Sequence, residues 1–193
     1  MKIEIYAREK DLIDDYLLIM RIKRGDTDAW EVLVDKYYDK IYAYCCRRFF
    51  GNCDLAEDLT QDIFLKVVRA IPTYRYKGKF YNYLYTITVN HCNSFAKKKQ
   101  IEKVELSENT LVDDTESVID ELTKQEDNQL IQAALDKLPD IQREAVILRY
   151  YQDLKVKEIA KVTGVGVATA QSRIHQGLKK LEKYLKMEDF DND

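Results

Sequence analysis

Residues 135–185, LDKLPDIQREAVILRYYQDLKVKEIAKVTGVGVATAQSRIHQGLKKLEKYL, allow very few folds. Val156, Ile159, Ala160 and Thr163 recur at helical spacing and make the inner face of a short helix. Ala160 is small enough to let a second helix cross closely. Gly164 follows, and glycine accepts the positive φ that ends a helix. Ala170, Ile174, Leu178, Leu181 and Leu185 then form the buried stripe of a longer helix. Two helices joined by a short glycine turn predict a helix-turn-helix. Ala168, Thr169, Gln171, Ser172, Arg173, His175 and Gln176 are left facing outward near the start of the second helix. The first turns of such a helix meet base edges in the major groove, and Lys179, Lys180 and Lys183 further along suit phosphates. The competing reading is an amphipathic helix packed on a partner protein.

With 6 glycines and 2 prolines in 193 residues, the rest of the chain favours long helices over a loop-rich β fold. The expected class is all-α. The longest apolar runs, such as Leu17 to Met20, are too short to cross a membrane, and the N-terminus lacks the apolar core of a secretory signal. The expected location is therefore the cytoplasm. Cys45, Cys46, Cys53 and Cys92 form no C-x-x-C pair, and His91 and His175 stand far apart. That spacing argues for reduced thiols and against a metal site.

A net charge of −3 looks wrong for a DNA binder until it is mapped. Between residues 101 and 128 ten acids face two lysines, a local net of −8, whereas residues 154–187 carry +6. Charge is segregated along the chain. The acidic stretch lacks a strong apolar period and reads as a linker, with room for one short helix around Val118 to Leu122. It divides the chain into a domain at about 10–100, the linker at 101–128 and a second domain at 129–187.

The first domain reads as helices throughout. One spans about Asp11 to Arg24 and stops at Gly25; Asp26 or Thr27 can cap the next, which carries Trp30, Leu33, Val34, Tyr37, Tyr38, Ile41, Tyr42 and Cys45. Gly51 breaks it near Phe49. Asp54 and Glu57 have the reciprocal form of a capping box. The helix behind them sets Leu55, Leu59, Ile63 and Val67 on one face and Asp58, Asp62, Lys66 and Arg69 on another. Ile71-Pro72 ends it. A last helix from about Phe80 to Lys99 completes the domain.

Two further surfaces invite a binding role. The stretch 73–85, TYRYKGKFYNYLY, interleaves tyrosines and Phe80 with Arg75, Lys77 and Lys79. Cations track a phosphate backbone and aromatic faces stack on unpaired bases, at roughly 1–3 kcal/mol per base. Set against this, the same aromatics can be core residues of the next helix. Asp58, Gln61 and Asp62 can dock a basic partner, or be a plain solvated face. No catalytic constellation appears: the P-loop, H-E-x-x-H and G-x-S-x-G patterns are all missing. No cofactor and no small-molecule substrate are expected.

With these residues in view, the chain resembles an RNA polymerase sigma factor of the extracytoplasmic-function group, from about Asp11 to Leu185. The first domain resembles sigma region two through Gly25-Asp26 with Ala29-Trp30, AEDLTQDIFLKV from Ala56 to Val67, Phe80, Leu84-Tyr85 and Val89-Asn90. The second resembles region four through Leu138-Pro139, Arg143-Glu144, Leu148-Arg149-Tyr150, Glu158-Ile159-Ala160, Gly164-Val165 and Ser172-Arg173. The resemblance implies a factor that binds core RNA polymerase, at its β′ clamp and β flap, and directs initiation without being an enzyme. It implies that Asp58, Gln61 and Asp62 dock on the clamp. It implies that Tyr74, Arg75, Tyr76, Lys77, Lys79, Phe80, Tyr81, Tyr83 and Asn90 serve the −10 element, where strand opening begins, and that Ala168 to Gln176 read the −35 element. An anti-sigma factor partner is implied as well. Tyr83 stands where the family usually has Trp, Ser94 replaces a frequent Asp, Lys155 and Gly166 stand at cap positions usually held by Ser or Thr, and Gln171 replaces a common basic residue. The rival readings are a helix-turn-helix regulator that binds duplex alone, and a decoy that holds polymerase without initiating.

Overall fold

A computed structural model describes residues 15–76, 78–107 and 124–191; side chains are described outside 102–127 and 187–193. All described elements are helical. They are α1 (15–23), α2 (Asp28–Arg48), α3 (Cys53–Ala70), a 3-10 turn (Ile71–Thr73), α4 (Phe80–Ser107), α5 (Lys124–Asp136), α6 (Asp140–Tyr150), α7 (Val156–Thr163) and α8 (Val167–Asp191).

α2 buries Ala29, Leu33, Tyr37, Ile41, Tyr44, Cys45 and Arg48, a stripe repeating every three or four residues. Trp30, Val34, Tyr38 and Tyr42 flank that stripe, half-buried, which makes it wide enough to meet both α1 and α3. Gly25, at φ +87°, lets the chain reverse after α1. Asp26, not Thr27, accepts the amide of Ala29 at 3.2 Å and so opens α2. α3 also starts differently from the sequence reading. Its cap is Asn52, whose side chain accepts from the Leu55 amide at 2.9 Å, so Asp54 lies inside the helix and its box with Glu57 is not the cap. The inner face of α3 is as the period predicts: Leu59, Ile63 and Val67 are buried and Leu55 packs against the core. α4 continues beyond Lys99 to Ser107, through the good helix formers of IEKVELS. With α5 starting at Lys124, the acidic stretch is helical at both ends; Val118 to Leu122 lies outside the described residues.

In the second half α8 is the hub, packed on α5, α6 and α7. The short apolar cluster of Leu135, Leu138 and Val146 lies under its later turns. The turn before α8 uses Gly164 in the left-handed region, at φ +69°. Lys155 opens α7 without an acceptor of its own. Glu158 supplies the bond instead, taking the Lys155 amide at 2.8 Å, so the compensation comes from within the helix.

The halves do not stand apart. α4 packs on α7 and α2 on α6, and one buried cluster runs from Leu18 through Cys92 to Ile174.

Candidate nucleic-acid interface

Three surfaces carry the candidate residues. On α8, the periodicity turns Ala170, Ile174 and Gly177 inward and leaves Ala168, Thr169, Gln171, Ser172, His175 and Gln176 exposed in one continuous face, with Arg173 half-buried at its edge. The first turn of α8 holds no acid, so its amide dipoles favour an approaching phosphate. The face is internally braced. Gln176 donates to the Ser172 hydroxyl at 3.0 Å, and Gln142 of α6 donates to Gln176 at the same distance. Behind it, Glu144 is buried on α6, and burial raises its carboxyl against the pull of Arg48 and Arg173.

The aromatic-basic stretch divides into three roles. Tyr74 and Phe80 are core: their rings stand 5.8 Å apart edge-on, and Phe80 is fully buried. Tyr83 lies on Tyr74 with centroids 4.3 Å apart, so the phenol that replaces the usual Trp has a ring partner. Arg75 and Lys79 are exposed, Tyr76 is half-buried, and Lys77 lies outside the described residues. Tyr83 and Asn90 then share a groove of about 290 Å³ between α3 and α4 with Lys66, His91 and Ser94. Lys66 approaches His91 Nδ1 at 2.6 Å, which leaves the ring proton on Nε2, 3.5 Å from Asp62. Burial, then the Lys66 charge, pull the His91 pKa below its ordinary value. The imidazole is therefore neutral at neutral pH and ties the groove to the outer face of α3.

That outer face exposes Asp58, Gln61 and Asp62. It also exposes Leu65 at 53% and Val68 at 43%, too open to serve the core. A mixed acidic and apolar strip of this kind fits a protein partner better than a solvated surface. The periodicity contained that signal, since Leu65 falls two residues after inward Ile63. The sequence reading missed it, and missed Arg48, which is buried although it sits in register with Ile41 and Tyr44.

The order of the two helical halves, and the motif on each, can be compared with known proteins. Residues 33–101 match the family model described as sigma-70 region 2, and residues 128–181 that described as sigma-70, region 4. The chain is 32% identical over 178 residues to the ECF RNA polymerase sigma factor SigW of Bacillus subtilis, covering 87% of this chain and 95% of that one. It belongs to the extracytoplasmic-function sigma factors. A second relative, the ECF RNA polymerase sigma factor SigE of Mycolicibacterium smegmatis, is 35% identical over 164 residues, 81% of this chain and 62% of that relative's length. The fold matches the sigma factor RpoE of Bartonella quintana in complex with the anti-sigma factor NepR, at TM-score 0.67 and 23% identity over 81% of this chain and 96% of that one. It also matches CnrH in complex with the cytosolic domain of CnrY, at TM-score 0.65 and 21% identity over 90% and 98% of the two chains.

As a sigma factor the protein binds core RNA polymerase and directs promoter-specific initiation at −10 and −35 elements; it is an initiation factor, not an enzyme. The two halves of the resemblance thus both hold, and neither a lone duplex-binding regulator nor a decoy accounts for them together. Among the described residues there is no cluster of His, Cys, Asp or Glu arranged for a metal, and no helix long and apolar enough to cross a membrane. The four cysteines are free thiols; Cys45 and Cys92 are buried with sulfurs 3.9 Å apart.

Proposed function

We propose that this sigma factor reads the −35 element with the first two turns of α8, using Ala168, Thr169, Gln171, Ser172, Arg173, His175 and Gln176. The continuous exposed face on those turns is the observation that carries the assignment. Arg75, Lys79, Tyr76, Tyr81, Tyr83 and Asn90, with Lys77, serve the −10 element, Tyr74 and Phe80 shaping their support from the core. Asp58, Gln61 and Asp62 dock on the β′ clamp, and Leu65 and Val68 extend that contact with apolar area. Working boundaries are 10–100 for polymerase and −10 binding, 101–128 for the linker and 129–187 for −35 binding. The site of action is the cytoplasm, where the polymerase is. RpoE of Bartonella quintana is held by an anti-sigma factor, and a partner of that class is proposed here too.

Run-off transcription with purified core polymerase on genomic fragments tests the assignment. Arg173→Ala should weaken initiation without weakening polymerase binding, by about 1–3 kcal/mol if the guanidinium reaches a base edge. Asp62→Arg should do the reverse, abolishing co-elution with core enzyme. Unchanged transcription by Arg173→Ala removes that residue from the −35 reader.

A further inference from the structure

The four cysteines form two neighbouring pairs with opposite surroundings. Cys45 and Cys92 face each other in the core, and both are fully buried. Cys46 and Cys53 meet at the turn between α2 and α3, where Cys53 is exposed and Cys46 half-buried. In a reducing compartment a disulfide is usually transient, formed in catalysis or in redox sensing. Access and local geometry decide which pair suits that use.

The turn itself brings the outer pair together. Cys46 lies in the last turn of α2, and Cys53 is the first residue of α3. Positive φ at Phe50 and Gly51, +61° and +70°, folds the chain back between them. The Gly51 amide donates to the Cys46 carbonyl at 2.9 Å, and the Cys53 thiol donates to the Gly51 carbonyl at 3.4 Å. Both cysteines are thus fastened to one residue. Tyr42 stands four residues before Cys46, on the same face of α2, and its hydroxyl donates to the Cys53 sulfur. That bond, then burial, hold the phenol above its ordinary pKa, so it stays a protonated donor. Burial, then the adjacent Cys53 sulfur, push the Cys46 thiol up to about 11.

These surroundings give the two sulfurs different roles. A peroxide arriving from solvent meets Cys53, because Cys46 is screened and keeps its proton. The Cys53 sulfur takes one peroxide oxygen, the O–O bond breaks, and the other oxygen leaves as hydroxide. The product is a sulfenic acid. A sulfenic acid left alone at a surface proceeds with more peroxide to sulfinic acid, which thiols do not reverse. Cys46 is placed to intercept it. Its sulfur attacks the sulfenic sulfur, the S–OH bond breaks, and the departing hydroxide takes the Cys46 proton as water. In sum, two thiols and one hydrogen peroxide become one disulfide and two waters. The sulfurs give up two electrons and the peroxide accepts them. Cys45 and Cys92 take no part, since both are closed to solvent.

We propose that Cys46 and Cys53 form a reversible thiol–disulfide site at the α2–α3 turn, with Cys53 the peroxide-reactive sulfur and Cys46 the one that resolves it. The bridge closes over residues 47–52, at the foot of the helix that carries Asp58, Gln61 and Asp62.

The test treats the reduced full chain with hydrogen peroxide, quenches it with a thiol-alkylating reagent and maps the cysteines by peptide mass. The wild type should yield one intramolecular disulfide, between Cys46 and Cys53, with Cys45 and Cys92 still open to alkylation once the protein is unfolded. Dithiothreitol should restore both outer thiols in full. Cys46→Ser should lose the disulfide and accumulate Cys53 sulfinic acid that dithiothreitol leaves in place. Cys53→Ser should lose both products and keep Cys46 as a thiol. If circular dichroism shows that Cys46→Ser unfolds, Cys46→Ala takes its place, and Cys53→Ser, at an exposed position, decides with it. The site is overturned by a wild type that stays fully reduced, by a disulfide through Cys45 or Cys92, or by a bridge between two copies through Cys53. Sulfinic acid forming on Cys53 as fast in the wild type as in Cys46→Ser overturns it too.

Discussion

Gly177 offers a test of how tightly the DNA reader is held. It is buried on α8 where that helix crosses α6. A methyl group on its Cα would stand 2.6 Å from Cγ2 of Val146, 3.4 Å from the Gln142 carbonyl oxygen and 3.6 Å from Gln142 Cβ. Ordinary carbon contacts lie at about 3.5–4.0 Å, so the overlap is about 1 Å. Two effects oppose each other in Gly177→Ala. Helix propensity favours alanine by about 1 kcal/mol, while overpacking costs about 1–3 kcal/mol. Val146 decides the sign. It is 2% exposed, packed beside Leu135 and Leu138, and β-branched, so its side chain has one comfortable rotamer in a helix and no free end to swing away. The upper part of the overpacking range therefore applies, leaving a net loss of about 1–2 kcal/mol, or roughly 4 °C in Tm for a chain of this size. Thermal unfolding followed by circular dichroism measures it. Val146→Ala should destabilise the wild type by opening a cavity, yet cost much less in the Gly177→Ala background, a coupling of at least about 1 kcal/mol. Because the widened crossing lies one turn after Arg173, duplex binding should fall with stability. A Gly177→Ala protein that melts higher than wild type, or a pair of substitutions that simply add, would falsify the close-crossing argument.

Further outcomes follow from single contacts. Asn52→Ala removes the side-chain acceptor that caps α3 and should cost about 1 kcal/mol, read as a Tm drop of a few degrees, whereas Asn52→Asp should retain stability; equal losses in both would place the cap elsewhere. His91 has a folded pKa below its ordinary value, so the unfolded chain takes up its proton first as pH falls. Stability from this group is thus full above about pH 6.5, declines below it, and levels off once the pH passes beneath the folded pKa. Glu144 acts with the opposite sign, since burial raises its carboxyl and acidification relieves the cost. Denaturant titrations at pH 7 and pH 5 on wild type and His91→Asn separate the two: the variant should lose less stability on acidification, and an identical loss in both proteins would refute the His91 account.

Much of this protein is legible in its sequence because local physics governs those parts. The inner faces of α2, α3, α7 and α8 follow from the spacing of Leu33, Ile41, Leu59, Ile63, Ile159 and Ile174, all of which are buried. Gly25 and Gly164 mark turns that require positive φ, and both adopt it. The outward set on α8 is what remains once that helix's apolar stripe is turned inward. Residue type does not decide the cap of α3, because Asn52 and Asp54 are both good acceptors; in the fold Asn52 holds that position and takes the Leu55 amide.

Other features depend on which distant residues meet. Phe80 and Tyr74 look like stacking platforms in a basic loop, but Tyr37 from α2 and Tyr83 from α4 surround them and make them core. Arg48 reads as a solvated end to α2 until α6 brings Asp140 against it. Nothing in the period of α4 foretells that Tyr81 and Tyr85 point their hydroxyls at Gln152, some seventy residues later. Helix faces and family membership can be read from the chain alone, because both depend on residue spacing. That the two promoter readers share one core emerges only when distant segments meet. That outcome turns on complementary charge and shape between separate surfaces, which no periodicity records.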